Sequence, residues 1–198
     1  MNKIPTREKI LREGRALLQK HGYNGFSFQD IANRIDIKKP SLYDHFASKE
    51  DLIISIIQTY NHQFDDWTQK NSPLSPIMRI RKIFDLFHSF SCDKRKICPI
   101  LALSTDQKGL SKKIQKEITL FVDKWLSWLE LQINAGKQQG QIRKNIDTSH
   151  LAEFIYSQAM GAQLQSRIQD KPELTLQSGD LIISLIRCEL KGHDSAIF

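Results

Sequence analysis

The sequence predicts an all-α protein of nine helices, with a three-helix segment at residues 1–48 followed by a larger helical segment at residues 49–198. Two observations carry this expectation. Apolar residues recur at helical spacing nearly everywhere, and no stretch alternates as a strand would. Ser/Asp pairs, prolines and glycines fall where such helices should start and stop.

The elements follow in order. Helix 1 runs from Thr6 to His21, with Ile10, Leu17, Leu18 and His21 on one stripe. Gly14 inside it costs roughly 1 kcal/mol relative to Ala unless another backbone packs closely there. Gly22 and Gly25 bracket a turn. Ser27 and Asp30 form an Asp version of the capping box and open helix 2, which ends near Ile35. Helix 3 starts at Lys38-Lys39-Pro40, with Pro in the first turn where its missing N–H is harmless. Ser48 and Asp51 cap helix 4, which continues to Trp67. Helix 5 spans Ile77 to Phe90, helix 6 Pro99 to Asp106, and helix 7 Leu110 or Ser111 to Gln139, stopping at Gly140. Helix 8 covers Thr148 to Arg167. Helix 9 covers Leu174 to Lys191, stopping at Gly192.

Composition excludes several classes. No apolar run approaches the roughly 18 residues of a membrane span. The charged start MNKIPTREKI lacks the apolar core of a secretory signal. Three cysteines (Cys92, Cys98, Cys188) make no disulfide framework and fit a reducing cytoplasm. His88 and Cys92 lie four apart on helix 5 but lack the further ligands a zinc site needs, so no metal and no cofactor is expected. Nucleophile-elbow, phosphate-loop, His-Glu-x-x-His and dinucleotide fingerprints are all missing, which argues against an enzyme.

The net charge of +7 is unevenly placed: residues 1–45 carry nine Lys/Arg against five Asp/Glu, a net +4. Nucleic acid attracts such a segment through counterion release. A short helix, a three-residue turn and a second short helix also make a helix-turn-helix, whose second helix enters the major groove. Its N-terminus here is Lys38, Lys39, Pro40 and Ser41. Tyr43, His45 and Lys49 have polar tips suited to phosphates, which set register without reading sequence.

Residues 10–53, ILREGRALLQKHGYNGFSFQDIANRIDIKKPSLYDHFASKEDLI, closely resemble the DNA-binding domain of the TetR/AcrR family of transcriptional regulators. The turn residues, the capping pairs and the Leu-Tyr-x-His-Phe-x-x-Lys run fall at the family's spacing. Gly161, Ala162 and the Gly140-Gln141-Ile142 run look like its regulatory domain. The resemblance implies a homodimeric repressor that binds a double-stranded DNA operator and releases it on binding a small-molecule effector. Gln29 and Lys39 become base-reading candidates, and Ser41, Tyr43, His45 and Lys49 phosphate contacts. Three positions depart from the family pattern: Asp36 replaces the usual turn Gly, Lys38 a capping Ser or Thr, and Asp44 a common aromatic.

In residues 49–198, Phe121, Trp125 and Trp128 share one face of helix 7, and such a stripe serves either core or pocket. The pocket candidates are Phe64, Phe84, Phe87, His88, Phe121, Trp125, Phe154 and Gln158, with Gln163 as a further polar group. Leu151, Ile155, Ala159 and Ala162 of helix 8, with Leu181 and Leu185 of helix 9, are the candidate dimer interface, a four-helix bundle across a two-fold axis. The alternative is a DNA-binding adaptor that answers to a protein partner and has no ligand pocket.

Overall fold

The computed structural model describes residues 4–92, 96–106 and 109–188. Among them nine helices follow in order: α1 (Thr6–His21), α2 (Phe28–Ile35), α3 (Pro40–Tyr43), α4 (Lys49–Lys70), α5 (Pro76–Cys92), α6 (Pro99–Ser104), α7 (Lys112–Gln138), α8 (Thr148–Gln169) and α9 (Glu173–Ile186). The fold is all-α. The extended pairing among the described residues is one antiparallel bridge, Ile142 to Arg187.

Helices α1–α3 form the head. The Ser27 Oγ accepts from the Asp30 amide at 3.4 Å, and the Asp30 carboxylate accepts from the Ser27 amide at 2.7 Å, closing the capping box. Asp36 ends α2 in the left-handed region, at φ 56 and ψ 54, a conformation that Asp tolerates better than most residues. Helix α3 itself is a single turn. Beyond it the amides of His45 and Phe46 both donate to the Leu42 carbonyl, at 3.0 and 2.9 Å. Ile10, Leu18, Ile31 and Leu42 are fully buried between these helices. A Cβ on Gly14 would lie 3.1 Å from Leu52 Cδ2, so α1 and α4 cross closely at the glycine. His21, expected on the buried stripe, is exposed, because α1 ends there and the chain turns off at Gly22, with φ 77.

Helices α5, α7, α8 and α9 pack against one another as the body, α4 lies between α1 and α7, and α6 packs on α1. Ser111 caps α7 and Asp147 caps α8, accepting from Ile114 and His150 amides at 3.3 and 2.9 Å. Helix α5 is seated on α9 through Phe84: a Cβ on Gly179 would come within 2.6 Å of the Phe84 ring. Helix α9 ends at Ile186, short of the expected Lys191. The Ile186 carbonyl accepts from Arg143 N (3.0 Å), and Cys188 N donates to the Gln141 carbonyl (3.1 Å), which draws the chain into the bridge. Gly192, the expected stop, lies outside the described residues.

Candidate functional site

The head presents one exposed polar face around α3. Lys38, Lys39, Pro40 and His45 are exposed and Ser41 is half-buried. Neither Lys38 nor Lys39 has an ion-pair partner among the described residues, whereas Arg34 is tied to Glu13 of α1 at 3.6 Å. Tyr43 leans its ring on Phe28, with centroids 5.2 Å apart, and keeps half its surface exposed. Gln29 is exposed on α2, where its amide donates to Asn33 Oδ1 at 2.8 Å.

Lys49 is placed differently from the sequence expectation. Its ammonium points inward, donating to the Tyr23 carbonyl at 2.5 Å and to the Phe26 carbonyl. It also sits over the rings of Tyr23 and Phe26, at 4.7 and 4.1 Å. Burial pulls its pKa below the usual lysine value, against the opposing charges of Asp106 and Asp30. An ammonium with two carbonyls and two ring faces around it is committed to holding the α1–α2 turn and is not free to seek phosphate. Asp106, just past α6, grips the same turn from the other side: its carboxylate accepts from Tyr23 N at 2.8 Å and Asn24 N at 3.3 Å. Gly22 fits this grip, since a Cβ there would lie 3.0 Å from that carboxylate oxygen.

In the body, α4, α5, α7 and α8 enclose a cavity of about 330 Å³. Of the sequence candidates, Phe64, Phe87, Phe121 and Trp125 line it. The other four do not. Phe84 is packed on Gly179. His88 is anchored at the α9 end: its Nδ1–H donates to the Pro172 carbonyl at 2.9 Å, which leaves Nε2 facing the Cys92 sulfur at 3.3 Å. Phe154 and Gln158 lie on the outer side of α8 and are exposed. Gln163, the further polar candidate, is fully buried, accepting from Cys98 N at 2.7 Å and donating to the Phe87 carbonyl at 3.0 Å.

The pocket candidates left out Tyr60, Trp67, Phe90 and Tyr156, which also stand on the walls, and Arg15 and Gln19, which α1 contributes. A signal for part of this was available: Tyr60, Phe64 and Trp67 fall at i, i+4 and i+7 on α4. The rings make one cluster, with Phe64 4.4 Å and Trp67 5.9 Å from Trp125. Among the described residues the lining includes Arg15 and Lys96 and no carboxylate. Burial pushes the Tyr60 and Tyr156 hydroxyls above the usual phenol range and the Cys98 thiol up to about 11, so Cys98 stays protonated at neutral pH. No cluster of three His, Cys, Asp or Glu suited to a metal occurs among the described residues. No helix there is long and apolar enough to cross a membrane.

The candidate dimer residues divide in two. Leu151, Ile155, Ala159 and Ala162 are buried within the chain itself. The apolar stripe visible in the sequence is the one α8 turns to its neighbours α5, α7 and α9. The outward stripe is Phe154, Gln158, Gly161, Gln165 and Ile168, at i, i+4, i+7, i+11 and i+14. Ile168 is 76% exposed, and Leu181 and Leu185 of α9 are 60% and 53% exposed.

A single-turn α3 offering lysines beside α2, joined to a helical body with an aromatic cavity, defines a helix-turn-helix regulator. Comparison with known proteins makes this specific. Residues 10–56 match the profile of the bacterial regulatory proteins of the tetR family, and residues 76–177 match that of the tetracyclin repressor-like C-terminal domain. The chain is 26% identical over 179 residues to the HTH-type transcriptional repressor DhaR of Mycobacterium sp. (strain GP1), covering 87% of this chain and 88% of DhaR. A TetR transcriptional regulator from Legionella pneumophila superposes with a TM-score of 0.85 at 30% identity, covering 94% of this chain and all of the other. The transcriptional regulator FadR from Bacillus subtilis, in complex with stearoyl-CoA, shares the fold with a TM-score of 0.72 at 15% identity, covering 90% of this chain and 96% of FadR. The chain belongs to the TetR family of DNA-binding transcriptional regulators.

Proposed function

We propose that the protein is a homodimeric repressor whose hold on a near-palindromic operator is released by a small molecule bound in the body. Helix α3 enters the major groove, with Lys38, Lys39, Pro40 and Ser41 at its leading end and Tyr43 and His45 on the backbone. Lys39 and, from α2, Gln29 read base edges. Two heads on a two-fold axis meet half-sites about one helical turn apart, roughly 34–36 Å. The twin subunit covers the outward face of α8 and α9, from Phe154 and Ile168 to Leu181 and Leu185. Repression is the role carried by the name of DhaR.

One observation carries the effector reading: the cavity is shared between the two parts of the chain. Arg15 and Gln19 of α1 stand on its wall, and the Gln19 amide donates to the Ile97 carbonyl at 2.9 Å. A ligand that shifts these residues shifts the helix on which the head is built. Asp106 carries the same displacement from α6 to the turn at Tyr23. The coupling is reciprocal and is typically about 1–3 kcal/mol. The cavity favours this reading over an adaptor that answers to a protein partner alone.

Footprinting on the DNA upstream of the protein's own gene, repeated with candidate ligands, tests it. A protected near-palindrome that a small molecule clears is the expected result. Protection that no ligand alters would favour the adaptor. Analytical ultracentrifugation is expected to give a dimer, and a stable monomer at micromolar concentration would reject the α8–α9 interface.

A further inference from the structure

The cavity has a direction. Phe64, Phe87, Phe121 and Trp125 on its wall are buried, whereas Gln63 and Ser89 are exposed and Arg15 is half-buried. A molecule that fits this gradient puts an apolar end between the rings and a polar end at the rim. Arg15 is the charge that α1 brings to that rim. Its guanidinium stands over the ring of Tyr60, another wall residue, 5.8 Å from the centroid. The ring sets where the charge lies but does not neutralise it.

The surroundings of Arg15 supply no counter-charge. One turn away on α1 stand Leu11, Arg12, Leu18 and Gln19. The α4 residues that share a lining with Arg15 include Ile56, Thr59, Tyr60 and Gln63. None of these is a carboxylate. Glu13 turns to Arg12 and Arg34. Glu8, in the groove that Arg15 shares with Arg7 and Arg12, is exposed and two turns away, about 10 Å along the helix. Arg15 makes no ion pair and no hydrogen bond among the described residues, only the ring contact. A guanidinium stays charged at neutral pH, and its planar fork meets a carboxylate with two parallel hydrogen bonds.

Resting on the reading of the cavity as the effector site, we propose that the effector is an amphipathic acid, with a flat apolar body among the rings and a carboxylate on Arg15. Because Arg15 belongs to α1, the acid group is recognised by the head and the apolar body by the rest of the chain. A neutral molecule of the same shape fills the cavity without an ionic hold on α1. The carboxylate is therefore what separates an effector from a bystander.

Calorimetric titration of the full chain with 2-naphthoate and its neutral isostere 2-naphthamide tests this. In low salt the acid is expected to bind about tenfold tighter. The difference is expected to shrink as added salt screens the half-buried charge. Arg15→Gln is expected to bring the acid down to the affinity of the amide, while the amide's own affinity and the unfolding midpoint stay in place. Arg15→Lys keeps the charge without the fork and is expected to retain a severalfold preference. Equal binding of acid and amide to the unsubstituted chain, or a preference that Arg15→Gln leaves intact, would overturn the inference and leave the effector site standing. Failure of both probes to bind would overturn the effector site as well.

Discussion

In the head, the turn between α1 and α2 has its polar backbone groups held from two sides. Lys49 takes the carbonyls of Tyr23 and Phe26, and Asp106 takes the amides of Tyr23 and Asn24. In the body, the cavity wall keeps a buried indole N–H and a buried hydroxyl with no partner among the described residues. A segment that must present α3 to a rigid groove benefits from polar groups fixed within the chain. The difference is between a turn whose polar groups are fixed within the chain and a wall that carries two without a partner among the described residues.

The comparison can be broken by substitution. The largest effect is expected in the body, where apolar packing dominates. Phe84→Ala removes a fully buried ring seated on Gly179 and should cost about 3–5 kcal/mol in urea unfolding. Lys49→Met comes next, since two carbonyls lose their donor. A loss of about 1–3 kcal/mol is expected, read as a lower unfolding midpoint. With Lys49 acting on the fold, the salt dependence of DNA binding by this variant should keep its slope. A slope reduced by about 0.9 would return Lys49 to the phosphate contacts.

A smaller effect concerns acid. The Asp30 carboxyl is held below its ordinary value of 3.8 by hydrogen bonds from the Ser27 hydroxyl and amide. Around and below pH 3.8 the unfolded chain therefore binds more protons than the native one, so stability rises with pH there. The contribution is full above that pH and is lost as pH falls through the lower native value. Asp30→Asn should flatten this part of a pH series of unfolding midpoints, and an unchanged series would place the acid sensitivity elsewhere. Lys38→Ala and Lys39→Ala should have the smallest effect on stability, within about 0.5 kcal/mol. If Lys38 meets phosphate, its loss lowers the salt slope for every sequence, whereas loss of Lys39 changes base preference.

The two parts were also unequally legible in the sequence. The head is written in short-range signals. Ser27 with Asp30, Ser48 with Asp51 and the proline of α3 all act within four residues, so spacing alone exposes them, while Asp36 stood out through the family resemblance. The cavity and the exposed apolar residues of α8 and α9 depend on which way long helices face. The stripe Leu151, Ile155, Ala159 and Ala162 is plain in the sequence, but spacing does not say whether a neighbouring helix or a second chain covers it. Phe154, one position from Ile155, therefore changed from pocket candidate to exposed surface. Arg15 and Gln19 were invisible as cavity residues because the contacts that place them, such as Gln19 to Ile97, join distant parts of the chain. Lys49 was legible in type and position but not in direction: a lysine at a helix start suits phosphate or a carbonyl equally well, and only the turn it meets decides.

Helix α4 carries Lys49 at one end and Trp67 near the other. Eighteen residues of helix at 1.5 Å each put them about 27 Å apart. A straight rod of that length converts a tilt of about 5° at the cavity end into roughly 2 Å at Lys49, and in the proposed homodimer two such rods related by a dyad double the change in span. Under the proposed function, a ligand no larger than a few rings is therefore enough to spoil a fit set by the pitch of DNA.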